Sequence, residues 1–437
     1  MSIRNLDSVY GAEANPTGDP IGGGAGYRRV VRQGDHAVAN AEEFLAALKQ
    51  AKPGQVVYVA PDAKIDLSGH VGIQIPAGVT LAGNRGADGS PGPLLYNGKM
   101  PAGADFLSAG ENARVTGLRI KGPDCNIEEI NYDVVPRSGV KAIVARGPGV
   151  EVDNCEIANF HHSGVLVQNR NAHIHHCFIH DVHAYPVGTG GGAHWSTLIE
   201  ANIIHWIWHC VAGHGHPGDG YEARYNLIIR RQTPKSWAEN YTSHAWDVHN
   251  YRPASTAKPR RLIAGDRISI HHNTMQNTGP TSRSGLFRGV PREFAVVYNN
   301  WFSESNPEMG VRQVEPKGNV WVYNNVYGPE KALIPVGEDT TARVLFRRPA
   351  PPTENPEKVS GEFALDFEVS VLPGLQVKRV AVEVGGRELY AAARAPHAGE
   401  VVVNTRELAN GIQELVVVVE DSRGVVSRQA VTLSVEN

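Results

Sequence analysis

The sequence predicts an all-β chain: a right-handed parallel β-helix with an N-terminal capping helix, followed by a small immunoglobulin-like β-sandwich. Three observations carry this expectation. A short strand-forming pattern recurs at a nearly constant interval through the middle of the chain. The composition, with 47 Gly and 28 Pro among 437 residues and 7% Phe, Trp and Tyr, suits a turn-rich β protein. The texture changes near Arg347, where a proline-rich stretch precedes short alternating apolar runs.

The recurring pattern is two β-formers, a polar residue, then Asn or Cys, then an apolar or aromatic pair. Its column is Cys155, Cys177, Asn202, Asn226, Asn273, Asn300 and Asn325, with spacings of 22, 25, 24, 47, 27 and 25. A period near 24 residues is the length of one turn of a β-solenoid. The interval of 47 is either two coils or one coil with a long insertion. Coils stack at about 4.8 Å, so residues of one column lie above one another. Asn suits a buried turn position, where its amide bonds to backbone and to the next Asn. Cys155 and Cys177 fill the same slot as small packing residues.

Asn40-Ala41-Glu42-Glu43 reads as a helix start with a reciprocal cap, and Phe44, Leu45 and Leu48 form one apolar face. Such a helix would plug the open end of the solenoid. Expected boundaries are a β-helix domain over 1–345, a proline-rich linker over 346–361 and a sandwich over 362–437.

A net charge of −3 gives no basic footprint for nucleic acid. The absence of a run of about 18 apolar residues excludes a spanning helix. Four Cys are too few for a disulfide scaffold at this size. The opening residues Met1 to Asn5 show no apolar h-region. The expectation is a secreted or periplasmic monomer whose signal is outside this sequence, with a cytoplasmic location as the alternative.

The opening Asp19-Pro20-Ile21-Gly22-Gly23-Gly24-Ala25-Gly26-Tyr27, the helix around Phe44, the strand Val56–Val59 and the Asn column together resemble the pectate-lyase-like superfamily of parallel β-helices. The likeness covers roughly residues 20–335. It implies a carbohydrate-active protein, in a group that includes polysaccharide lyases, glycoside hydrolases, epimerases and phage tailspikes. Fold alone does not choose among these.

Sixteen of the 19 His lie between His161 and His272, and five of the seven Trp between Trp195 and Trp246. A second set of strands includes His209–His216, Ser243–Asn250, Ser284–Val290 and Gly310–Val314. Asp247 and His249 share one face of their strand, opposite Trp246 and Val248. If the coils stack in phase, His214 and His216 precede them and Arg288 follows. β-Elimination on a uronate needs a base near neutral pKa and a cation to hold the developing enolate. His249 is the candidate base, oriented by Asp247, with Arg288, His214, Tyr241 and Asp219 as further catalytic candidates. Arg283, Arg292 and Arg312 could meet substrate carboxylates, and Trp195, Trp208, Trp237 and Trp246 could stack on sugar rings, with His244 and Glu222 beside them.

The bland readings stand next to these. His175, His176, His271 and His272 flank the Asn column and read as stacked structural residues, and Trp206 as core. Two other chemistries compete. Hydrolysis would draw its two carboxylates from Asp219 and Asp247, with Glu222 or Glu200 nearby. His214, His216, Asp247 and His249 could instead hold a divalent cation, a transition metal or calcium. A non-catalytic carbohydrate-binding β-helix is the remaining expectation; it would show an aromatic strip without a convergent acid and base.

Overall fold

The structure is a computed structural model that describes residues 9–123, 138–191, 194–230, 244–251, 263–276, 283–306, 310–313, 320–333, 341–349, 356–371, 375–393 and 399–437. Three long sheets dominate it, two of eleven strands and one of nine, and nearly all their pairings are parallel. One coil shows how the chain moves between them. Lys141–Ala145 lies in the nine-stranded sheet 3, Glu151–Asp153 in sheet 1 and Glu156–Phe160 in sheet 2, before Ser163–Val167 returns to sheet 3. The architecture is compatible with a parallel β-helix. No helix among the described residues is long and apolar enough to cross a membrane.

The Asn column sits at the corner between sheets 1 and 2, and it is a continuous hydrogen-bonded ladder. Backbone N–H groups of Cys177, Asn202, Asn226, Asn273 and Asn300 each donate to the side-chain oxygen of the Asn one coil further on, at 2.9–3.0 Å. The side-chain amides of Asn202, Asn226, Asn273 and Asn300 donate along the same line. Asn226 and Asn273 are adjacent rungs, so the interval of 47 is one coil with an insertion.

Just before each rung the chain adopts a left-handed residue: Asn154, His176, Ala201, Tyr225, His272, Asn299 and Asn324, with φ of 50–57°. Outside glycine this conformation costs roughly 1–2 kcal/mol. The ladder bonds of the following residue hold it in place.

Residues 10–35 run along this corner as a strap, from the last coils back to the first. Gly11 N–H donates to the Asn299 carbonyl, Gly22 N–H to that of Ala201, and Gly24 N–H to the Asn154 side chain. Tyr27 donates to the buried Asp153 carboxylate at 2.7 Å. The glycine run has its cause here: Gly23 has φ 68°, and a Cβ on it would lie 2.3 Å from the His176 carbonyl oxygen.

Helix α1 (Ala41–Gln50) has the expected cap. Asn40 Oδ1 accepts from Glu43 N–H, and Glu43 Oε2 accepts from Ala39 N–H. Its Phe44 and Leu48 are buried in the core that also holds Val57, Ile75 and Leu81. A second core belongs to a separate unit built on a three-stranded and a five-stranded sheet. This unit begins earlier than the expected linker. Ala342–Arg348 already pairs antiparallel with Glu362–Val371, and Glu357–Val359 pairs with the last strand.

The ladder yields a direct expectation. Asn226 is fully buried, and its amide also donates to the carbonyls of Ile199 and Arg224. Asn226→Ala strands several buried backbone groups at once and should cost ~3 kcal/mol, lowering the denaturation midpoint. An unchanged midpoint would mean that the ladder does not hold the coils in register.

Candidate active site

The outer face of sheet 3 carries the candidate site. Register places Val144, Leu166, Gly188, Ala212, Asp247 and Leu286 in one column. The neighbouring residues of the same strands, Ile143, Val165, Val187, Val211 and Trp246, form the next column and belong to the core. The alternation expected from the sequence therefore holds, and Asp247 emerges on the outside between Ala212 and Leu286.

Asp247 is the centre of a charge cluster. Its side chain is 0% exposed, yet three groups meet it. Arg288 donates in bidentate fashion, Nε to Oδ1 at 2.7 Å and Nη2 to Oδ2 at 2.8 Å. His249 Nε2 lies 2.8 Å from Oδ2, off the direction of a well-formed hydrogen bond. His209 Nε2 lies 3.3 Å from the same oxygen. Burial pushes the Asp247 pKa up, but His249, His209 and Arg288 outweigh it and hold the carboxyl well below the usual range. The carboxylate thus stays ionised in a place that water does not reach. His249 is 38% exposed and presents the outer edge of its ring to solvent.

Beyond the strand ends the column continues through His214, His249 and Arg288, each backbone N–H donating to the preceding coil. The other flank is a stack of rings. Tyr185, His209 and His244 lie nearly parallel with centroids 5.8 Å apart, and Trp208 stacks on Tyr185 at 5.9 Å. Burial depresses the His209 pKa to about 4.

Several expected site residues are elsewhere. Trp246 is fully buried, stacks on Tyr221 and points Nε1 at the Met275 sulfur, so it cannot receive a sugar. His244 is also buried, held in the ring stack. Asp219 is buried at the corner between sheets 3 and 1, where it accepts from His216 N–H. Glu222 and Glu200 are on sheet 1, paired with Arg224. Arg292 is paired with Asp266 through two bonds. Trp195 is 38% exposed and lies under the Arg267 guanidinium, away from the Asp247 column. Arg283 is in register with His244 and Arg312 with Leu286, but their side chains lie outside the described part. Tyr241 and Trp237 lie outside the described residues.

The metal-ligand set differs from the expected one. His209, Asp247 and His249 bring their ligand atoms within 4.8 Å of one another, whereas His214 and His216 stand outside this group. Gly215, with φ 75°, lies between them; the His214 and His216 rings stack on each other with centroids 6.2 Å apart, and His216 also meets the Tyr251 ring at 4.4 Å. The residues that sequence reasoning missed are His209 and Tyr185. A signal existed: His209 opens its strand as His244 opens the next.

The four histidines beside the Asn column are tied up at the corner. His175 and His176 share a hydrogen between Nδ1 atoms 2.8 Å apart, as do His271 and His272 at 2.7 Å. His175 also meets Glu151, and His271 meets Glu222. Trp206 is core.

Burial depresses His162, His176 and His209 alike to about 4. An unfolded His titrates near 6.5, so between about pH 6.5 and 4 the unfolded chain binds more protons. Stability contributed by these groups is present above that window and lost as pH falls through it. His180 opposes this trend, because Asp181 and Glu156 outweigh its burial and raise its pKa. The melting temperature should therefore fall from pH 7 to pH 4.5, with a shallower slope in His176→Asn. A flat profile would contradict neutral burial of these rings.

No protein-family model, curated protein or solved structure matches the chain.

Proposed function

We propose that this chain is a carbohydrate-active enzyme that cleaves a uronate-containing polysaccharide by β-elimination on the outer face of sheet 3. We also read the solenoid as a right-handed helix of the pectate-lyase-like kind, α1 as its cap and the second unit as immunoglobulin-like. The observation that carries the functional reading is the buried Asp247 carboxylate, bonded to Arg288 and approached by His249 Nε2 at 2.8 Å. Asp247 turns Nε2 of His249 inward and favours a hydrogen there. Nδ1 is then the basic nitrogen, at the solvent-facing edge of the ring.

In this reading, Nδ1 of His249 takes the proton α to the uronate carboxylate. The electron pair moves onto the carboxylate as an enolate, then forms the double bond as the glycosidic carbon–oxygen bond breaks. Arg288 uses Nε and Nη2 on Asp247, which leaves Nη1 to meet the substrate carboxylate. Tyr241 is assigned the proton for the leaving oxygen, and Tyr185 and Trp208 flank the sugar ring. The hydrolytic alternative requires a second carboxylate opposite Asp247, whereas Glu222 and Glu200 belong to sheet 1.

The test is a panel of uronate polymers, followed by the ultraviolet absorbance of the unsaturated product. His249→Ala should abolish that signal with little change in melting temperature. Arg288→Ala should cost more on charged than on esterified substrate. New reducing ends without the absorbance would indicate hydrolysis, and neither signal on any polymer would favour a binding protein. Near-normal turnover in His249→Ala would remove this residue from the mechanism.

A further inference from the structure

Two imidazole nitrogens and one carboxylate oxygen converge in the Asp247 cluster without hydrogen-bond geometry that joins them. Nε2 of His249 and Nε2 of His209 lie 2.8 Å and 3.3 Å from the same Oδ2. Both nitrogens are buried, and neither makes a well-directed hydrogen bond. The other nitrogen of His209, Nδ1, faces the His244 carbonyl oxygen at 3.3 Å. A carbonyl can only accept, so this contact places the ring hydrogen on Nδ1. The neutral ring then aims the Nε2 lone pair at a carboxylate oxygen. The His209 side chain is 1% exposed, so water does not screen the repulsion. A cation between the three atoms relieves it. A ring N–H held by a backbone carbonyl is also how metal-ligating histidines are commonly oriented.

We propose that His209 Nε2, Asp247 Oδ2 and His249 Nε2 bind one divalent first-row transition cation of the zinc type, and that its occupancy prevents His249 from acting as a base. Two nitrogens and one oxygen suit such an ion, whereas calcium and magnesium require oxygen shells. The Arg288 guanidinium on the same carboxylate opposes a second positive charge, so affinity is moderate and Arg288→Gln tightens it. In the other facing set among the described residues, Glu151, His173 and His175, the His175 Nε2 already hydrogen-bonds Glu151 Oε1 at 2.9 Å, and two guanidinium groups, Arg29 and Arg114, sit on that carboxylate where Asp247 has one. The inhibitory half of the proposal rests on the lyase reading; the binding half does not.

The experiment uses the full chain stripped with chelator, dialysed against zinc, nickel or calcium salts, with bound metal counted by mass spectrometry and folding followed by circular dichroism. The expected result is one equivalent of zinc or nickel and none of calcium. That equivalent should disappear in His249→Gln, at the partly exposed edge, and in His209→Asn, and persist in His214→Ala. No stoichiometric zinc, or zinc retained in both His249→Gln and His209→Asn, overturns the site. The count needs no substrate, so it stands or falls apart from the elimination assay. If the lyase reading also holds, zinc lowers the rate and chelator restores it; zinc bound at these residues with an unchanged rate overturns the inhibitory half.

Discussion

The three long sheets, and whatever they carry, depend on coils stacking in phase. Residues far apart along the chain become neighbours only because each turn repeats the position of the last. The buried amide ladder at the corner between sheets 1 and 2 enforces that repeat, since a slip of one residue would leave its donors and acceptors unpaired in the interior. The strap along the same corner bonds to coils from Asn299 back to Asn154 and so ties many turns together with one segment.

In-phase stacking explains how sheet 3 gathers its chemistry. Asp247 comes from the strand His244–Val248 and His249 from the residue just past its end, Arg288 from the next coil and His209 from the coil before. The floor around Asp247 is made of small or apolar residues such as Gly188 and Ala212, so the carboxylate is desolvated by its own column. A carboxylate in such a place stays charged only because cationic and hydrogen-bonding partners surround it. The same desolvation makes its contacts strong, fixing the orientation of the partly exposed imidazole above it. Sheet 1 carries histidines and acids too, yet there Glu200, Glu222, Arg224 and His271 neutralise one another along the outer ladder.

The ladder and the alternation of Trp246 and Asp247 were legible in the sequence because both follow strict periods. The left-handed residues before the rungs were less so: Asn154 and Asn299 carry a signature, whereas Ala201 and Tyr225 do not. The His214-Gly215-His216 reading failed for a related reason. Alternation stops where the strand stops at Gly213, and neither His214 nor His216 joins the group of His209, Asp247 and His249. Trp246 was drawn toward the site by the local richness in Trp, although its parity already placed it inside. His209 was hidden because its role appears only when the coils are laid in register, which spacing alone does not fix across an insertion.

The most direct measurement is a double-mutant cycle between Asp247 and Arg288, using Asp247→Asn, Arg288→Gln and the pair, with stability read from denaturant unfolding. Residues in contact across a desolvated pair should couple by about 2–3 kcal/mol. Additive single effects, with a coupling near zero, would mean that these coils are not in the register described and that the site assembled from them does not exist.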